Sequence, residues 1–268
     1  MGHVITSERP RISVVVPVRA DAPYLGLCLE ALSRQDVRAH EVLVVDDGSS
    51  DETALVARAA GARVIPSEGP GIAAAAARGY DEASGDLIAR LDSDSLPPTD
   101  WLREIRGVFA VDPALAAVTG RGVFADLSPA RRLLASAGYH GAYFGVLGIT
   151  LGQVPLYGSN FAMRRSVWEE VRGAVHRTDP GVHDDLDLSM RLGRSKRVRF
   201  EPRLAVAVST RTVTSVPRLT RSGLRTWHTI RANGDRLRET RLGRLVSPGF
   251  GVGPLGRVAA AVTTIARG

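Results

Sequence analysis

The sequence predicts an α/β protein with a mostly parallel central sheet flanked by helices. Three observations carry this. β-branched runs alternate with helical stretches four times before residue 95. The opening runs are apolar without interruption, as in strands buried on both faces. Two of them end in acidic turns, Asp46-Asp47-Gly48 and Asp92-Ser93-Asp94. Open α/β sheets bind ligands beyond the carboxyl ends of their strands.

Ile12 to Val16 reads as the first strand, stopped by Pro17, and Tyr24 to Arg34 as its helix. Glu41 to Val45, Ala62 to Ile65 and Leu87 to Leu91 are the next strands. Thr53 to Ala60 and Ile72 to Ala83 are the helices between them, the second rich in alanine. Further on, Trp101 to Val111 is a helix and Ala116 to Thr119 a strand. Leu156 to Met163 is extended and Ser166 to Val171 helical. Asp184 to Arg191 opens another helix, and Arg197 to Glu201 and Leu204 to Val208 are two strands.

A chain of 268 residues accommodates one large α/β domain and is too short for two. Its net charge of +7 is unevenly placed. From Arg211 onward eleven arginines face only Asp235 and Glu239, a balance of +9 that leaves −2 on the first 210 residues. Lys196 is the only lysine, so the basicity is arginine and fits a GC-rich genome. No basic stripe interleaves with aromatics in the body, which argues against nucleic acid as a partner. Cys28 is the only cysteine; it sits in a helical pattern and reads as a core residue. With no internal disulfide, no apolar run in residues 1–10 and no apolar stretch of membrane-spanning length, a cytoplasmic location is expected.

Asp92 and Asp94 are one residue apart at a strand end, where both can serve one hard cation. Magnesium and manganese favour oxygen ligands and share their shell with substrate phosphates. A D-x-D turn alone is a weak signal, since acidic turns are common and usually solvated.

It has company. The stretch from Ile12 to Val208 resembles the family-2 glycosyltransferases, whose catalytic domain has the GT-A, Rossmann-like fold. Ser13-Val14-Val15-Val16-Pro17-Val18 is similar to the family's first strand. Asp46-Asp47-Gly48-Ser49-Ser50-Asp51-Glu52-Thr53 matches its D-D-G-S-x-D-x-T signature. Gly71, Ala75, Gly79, Ala83, Gly85 and Asp86 keep its small-residue spacing. The resemblance implies that Pro17, Val18, Asp47, Asp46, Gly71, Asp92 and Ser93 contact a nucleotide-sugar, and that Asp94, with Asp92, holds Mn or Mg. Ser49 and Asp51 have a second reading as caps of the next helix. The chain departs from the family at Ala75-Ala76-Ala77 and at Arg19-Ala20, which leaves the donor's base and sugar open.

Gly158-Ser159-Asn160 and Arg164-Arg165 resemble the segment beside the family's acceptor pocket. The two arginines face phosphate or pair on the surface; both readings stand. His183-Asp184-Asp185-Leu186-Asp187-Leu188-Ser189-Met190-Arg191 resembles the E-D-x-D-L-x-x-R motif. The resemblance implies that Asp185, seconded by Asp184, is the catalytic base, with Arg191 on the acceptor side. Asp187 and Arg191 are spaced for an ion pair on one helix face. His183 reads as a neighbour of the helix cap.

The expected organisation is an N-terminal extension (1–10), a catalytic domain (11–210) and a basic, helical C-terminal tail (211–268). The catalytic domain divides into a nucleotide-sugar half (11–95) and an acceptor half (96–210). In the tail Val216, Leu219, Trp227, Ile230, Leu237 and Leu245 share one helical arc, with Arg218, Arg221, Arg225 and Arg236 opposite. Such a helix lies on an anionic membrane or packs on the body with its arginines in water. The expected function is inverting sugar transfer to a sugar, lipid-linked or small-molecule acceptor. The family's processive members carry Q-x-x-R-W and membrane spans; neither is found here, so single addition is expected. A nucleotidyltransferase making sugar-nucleotides and a non-catalytic sugar binder are the competing readings.

Overall fold

The structure is a computed structural model that describes residues 9–193, 195–212 and 216–234. Seven strands form one sheet: β1 (Ile12–Val18), β2 (Glu41–Asp46), β3 (Arg63–Pro66), β4 (Leu87–Arg90), β5 (Leu115–Phe124), β6 (Phe161–Arg164) and β7 (Arg197–Val208). Their order is β3-β2-β1-β4-β6-β5-β7. Strand β6 runs antiparallel to β4 and β5, and the other pairings are parallel.

The apolar run of β1 divides by strand periodicity. Val14 and Val16 face α1 (Ala22–Ser33) and α4 (Trp101–Val111), beside Leu25, Leu102 and Ile105. Val15 faces the other way, with Ala75–Ala77 of α3 (Ile72–Glu82), Trp168 of α7 (Arg165–Val171) and Leu188 of α8 (Asp184–Leu192). Both faces are covered, so the strand needs no polar alternation. Strand β4 ends at Arg90, opposite Val15, so Pro17 lies where β1 pairs with β2 only. Cys28 is buried in the α1 core, as its pattern predicts.

Helix α2 (Thr53–Ala59) packs on α1 and β3. The two strands expected at 197–208 are one, β7, with a register irregularity opposite Thr119 and Arg121; Pro202 accounts for the apparent break. The extended run expected from Leu156 contracts to β6, because Asn160 N–H turns back to the Tyr157 carbonyl at 2.8 Å. Residues 129–151 carry helices the sequence reading did not assign: α5 (Pro129–Ala142), a π turn (Tyr143–Leu147) and α6 (Gly148–Leu151). Four glycines in that stretch lower its helical propensity and mask the pattern.

Helix α9 (Val216–Ala232) is the described part of the tail, and it packs on α8. Leu237, Leu245 and Arg236 lie outside the described residues, as does the extension at 1–8. Among the described residues no helix is long and apolar enough to cross a membrane. Strands β1, β2 and β4 are parallel, so Pro17-Val18, Asp46-Asp47 and Asp92-Ser93-Asp94 emerge on the same edge of the sheet. Antiparallel β6 starts there, placing Gly158-Ser159 beside them.

Candidate active site

A cleft of about 850 Å³ opens at this edge. Pro17, Val18, Asp47, Gly71, Asp92, Ser93 and Asp94 line it together with Gly158, Asp184 and Asp185. Seven residues expected to serve the nucleotide-sugar or metal, and three expected to serve the acceptor or base, therefore meet in one cavity. Asp46, Asn160, Arg164, Arg165 and Arg191 are not among its lining residues.

The loop after β2 is bound to the loop after β1. Ser49 Oγ accepts the Ala20 N–H at 2.8 Å, and Asp51 Oδ2 the Ala22 N–H at 3.1 Å. Ser49 makes no bond to α2, but Asp51 Oδ1 accepts the Thr53 N–H at 3.1 Å at the start of that helix, so the capping reading holds for Asp51, although the N-cap residue is Glu52. Asp46 closes its own turn by accepting the Ser49 N–H at 2.9 Å. Asp47 points to the cleft, both carboxylate oxygens 3.0 Å from the Gly71 N–H. Gly71 has φ +98°, a conformation that favours glycine, and this turns its N–H toward Asp47.

The D-x-D turn is held by two arginines. Asp92 Oδ1 accepts from Arg90 at 2.9 Å, and its Oδ2 from the Ser159 hydroxyl at 2.5 Å. Asp94 Oδ2 accepts from Arg211 at 3.0 Å. Arg211 also grips both oxygens of Asp21, at 2.9 and 3.0 Å, and lies 3.8 Å over the Tyr24 ring. Ser93 donates to Asp21 at 2.7 Å. Burial, then the neighbouring Asp92 charge, raise the Asp94 carboxyl above its ordinary value. Among the described residues no group of three or more His, Cys, Asp or Glu surrounds a metal position. Asp94 with Asp92 behind it instead suits a cation that takes one or two carboxylates and fills its shell with phosphate and water.

Across the cleft, α8 presents its N-terminus, with His183 as N-cap and three aspartates in its first turn. Carboxylates there are favoured by the helix dipole. The Asp184 side chain is only 12% exposed, and its Oδ2 lies 2.7 Å from Arg90 Nη1. Burial raises its carboxyl well above the ordinary range, against the pull of Arg90. Asp185 Oδ2 accepts the Gly158 N–H at 2.9 Å and lies 3.2 Å from the Tyr143 hydroxyl. Its Oδ1 accepts the Leu186 N–H at 2.7 Å. Gly158 is required here, because a Cβ would stand 2.6 Å from Arg90 Nη1 and 3.1 Å from Asp185 Oδ2.

The remaining residues expected at the acceptor side have structural partners. Asn160 is fully buried; it accepts from the Trp101 indole at 2.9 Å and donates to the Leu204 carbonyl at 2.7 Å. Arg164 lies over Phe109 and donates to the Leu115 carbonyl at 2.8 Å. Arg165 donates to the Gly85 carbonyl and to Glu169. Arg191 lies 3.7 Å from Asp187, the spacing-predicted pair. Asp187 itself accepts from the His176 and Asn233 side chains, each at 2.8 Å. The Asn233 bond fastens the end of α9 to α8.

Helix α9 corrects the expectation for Arg225. Its side chain lines the cleft and donates to the Val182 carbonyl at 2.6 Å, so it does not lie on a solvent face. His183 also lines the cleft, its Nε2 3.1 Å from the Ser222 carbonyl. Ile230 packs near Leu186 and Met190, whereas Trp227, expected on the same arc, is half exposed.

Sequence reasoning did not single out Arg90, Arg211 or Tyr143. Arg90 had a signal, a lone charge inside the buried strand Leu87–Arg90. Arg211 counted only toward the tail's charge, and Tyr143 sat in the glycine-rich stretch.

Comparison with known proteins bears on the fold and the family. The family model described as glycosyl transferase family 2 matches residues 13–172, more than half of the chain. Glycosyltransferase AglE of Haloferax volcanii is 36% identical over 115 residues, 40% of this chain and 37% of its own length. An undecaprenyl-phosphate 4-deoxy-4-formamido-L-arabinose transferase of Pseudomonas paraeruginosa is 37% identical over 99 residues, 33% of this chain and 29% of its own. The matches thus span about a third of these relatives. Glucosyl-3-phosphoglycerate synthase of Mycobacterium tuberculosis, in complex with Mn2+, UDP and glucosyl-3-phosphoglycerate, superposes with TM-score 0.60 at 22% identity. That match covers 85% of this chain and 80% of the other. Mannosyltransferase PcManGT of Pyrobaculum calidifontis, with GDP-Man and Mn2+, gives 0.58 at 19% identity, covering 98% and 82%. These likenesses establish the GT-A fold, and the matched family model establishes the family: the chain belongs to glycosyl transferase family 2.

Proposed function

We propose that this chain is an inverting glycosyltransferase that moves a sugar from a nucleotide-sugar to an acceptor hydroxyl, with Asp185 as the base. One observation carries the reading. Two adjacent aspartates face the donor carboxylates across one cleft, and only Asp184 is enclosed by a buried guanidinium. Asp185 is held by two donors, Gly158 N–H and Leu186 N–H, with the Tyr143 hydroxyl, whose one proton is shared with the Leu156 carbonyl, 3.2 Å from Oδ2. An ionised carboxylate has about four lone-pair sites, so these contacts leave room for an acceptor hydroxyl.

In this reading Asp47 and Gly71 contact the nucleoside, and Asp94, supported by Asp92, holds Mn or Mg. A bound cation would supply charge neutralisation at the leaving diphosphate. Asp185 takes the acceptor's proton as its oxygen attacks the anomeric carbon and the bond to the nucleoside diphosphate breaks. Tyr143 and Gly158 orient that carboxylate. Arg90 fixes Asp92 and Asp184 relative to each other through one guanidinium. Val146 and Leu147, with Phe124 and Tyr139, give the far wall an apolar character that suits an acceptor carrying an apolar body.

The same features support docking of the cleft rim on an anionic membrane. Leu224 is 65% and Trp227 54% exposed on α9, with Arg221 and Arg231 also exposed. Val146 and Ile149, on the segment that walls the far side, are exposed as well.

Incubation with a panel of nucleotide-sugars and manganese tests the activity. The expected result is slow release of a nucleoside diphosphate to water from at least one donor. A nucleotidyltransferase would release pyrophosphate from a nucleoside triphosphate and sugar phosphate, and a pure binder would release nothing; either result rejects the reading.

A further inference from the structure

Arg211 stands between two carboxylates of the cleft. It lies in the turn Thr210–Thr212, just after β7. One guanidinium nitrogen is 2.9 Å from Asp21 Oδ1; the other is 3.0 Å from both Asp21 Oδ2 and Asp94 Oδ2. Its flat face rests on Tyr24 at 3.8 Å, and it lines the cleft with its side chain about a third exposed. The grip on Asp21 and Tyr24 needs nothing from Asp94. The contact to Asp94 is therefore a separable third one, made to the carboxylate best placed for a divalent cation.

We propose that Arg211 is an exchangeable counter-ion: it neutralises Asp94 when no donor is bound, yields that carboxylate to the divalent cation, and then faces the donor diphosphate while anchored on Asp21 and Tyr24. The inference rests on the donor-site reading. A guanidinium and a divalent cation at one carboxylate repel each other strongly in a partly buried site. A diphosphate between them removes that repulsion, since it carries negative charge to both, and arginine's planar fork suits phosphate oxygens. Arg211 thus makes cation binding weak without nucleotide and strong with it. Arg90 has no such freedom, because it is 2% exposed and clamped between Asp92 and Asp184.

The test measures Mn2+ binding alone, and uridine and guanosine diphosphate binding in saturating Mn2+, by calorimetry on the full chain. In R211A, Mn2+ alone should bind about tenfold more tightly, and the diphosphates about tenfold more weakly. In R211K both shifts should keep their sign and shrink, because lysine carries the charge without the fork. Damage to the fold would weaken both ligands together, so the opposite signs are diagnostic. Unchanged or weaker Mn2+ binding in variants that still melt cooperatively overturns the inference and leaves Arg211 a structural tie. If R211A does not melt cooperatively, R211K alone decides by the same criterion. A wild-type chain that binds neither diphosphate with Mn2+ overturns the donor-site reading itself, and the inference with it.

Discussion

Arg90 at the end of β4 and Asp184 at the start of α8 meet at 2.7 Å beneath the cleft. The pair gives the adjacent aspartates different lives. Asp184 is enclosed and matched to a guanidinium, whereas Asp185 is held by neutral donors and left facing the cavity. The same guanidinium takes Asp92 at 2.9 Å, so it ties α8 to the D-x-D turn.

Breaking this pair should cost stability before it costs chemistry. Removing one partner of a buried ion pair leaves the other charged and unmatched, typically at about 3–5 kcal/mol. Arg90→Met should lower the unfolding free energy from urea titration by an amount in that range, and the midpoint with it. A midpoint within experimental error of wild type would mean that water reaches the pair.

Tyr143 should act on rate and not on donor binding. Its hydroxyl lies 2.6 Å from the Leu156 carbonyl and 3.2 Å from Asp185 Oδ2, so it steers that carboxylate. Hydrogen bonds to charged groups contribute about 1.5 kcal/mol at the lower end. Tyr143→Phe should therefore slow donor hydrolysis about tenfold with unchanged nucleoside diphosphate affinity. Loss of affinity together with rate would place Tyr143 in the donor pocket.

His183 should make the protein less stable in mild acid. Burial lowers its imidazole below the ordinary 6.5, and the nearby Asp185 charge opposes that shift only in part. The unfolded chain then takes up this proton at a higher pH than the folded one. Stability linked to His183 is complete above pH 6.5 and is lost as pH falls from there through the depressed folded value. Denaturant titrations of wild type and His183→Gln at pH 7.5, 6.5 and 5.5 check the sign. The variant should lose less stability between the first and last pH; an equal loss would mean that the folded ring protonates freely.

The α9 rim should respond to salt and to polarity. If Leu224 and Trp227 enter a bilayer, Leu224→Ser/Trp227→Ser should sediment less with phosphatidylglycerol vesicles. Added salt should weaken the wild-type interaction by screening the arginines. Equal sedimentation of both proteins would leave α9 as a packed helix alone.

The placement of Asp47, Asp92 and Asp94 at the cleft was legible because their segments are local. Strand, acidic turn and helix follow each other in sequence, so Asp47, Asp92 and Asp94 announce themselves by position. The position of Asp185 in the cleft was legible from its motif. The partners of these carboxylates were not, since they come from distant segments. Arg211 reaches Asp94 across 117 positions and Asp21 across 190, and Asn233 reaches Asp187 across 46. Helical periodicity placed Arg225 opposite the apolar arc, but packing against α8 turns it inward to the Val182 carbonyl. Arg164 and Asn160 sat in the right motif, yet their side chains complete buried hydrogen bonds. A motif marks the segment near a site and does not say which of its side chains face the ligand.

Donor hydrolysis by Asp185→Asn and Asp184→Asn, measured beside nucleoside diphosphate affinity, tests the assignment of the base most directly. Asp185→Asn keeps the size and one of the two backbone N–H bonds through its amide oxygen, gives up the other, and cannot take a proton. Its rate should fall about a hundredfold to ten-thousandfold with affinity unchanged, and Asp184→Asn should slow hydrolysis less. A larger rate loss in Asp184→Asn at unchanged affinity, or a wild-type rate in Asp185→Asn, would contradict the assignment of Asp185 as the base.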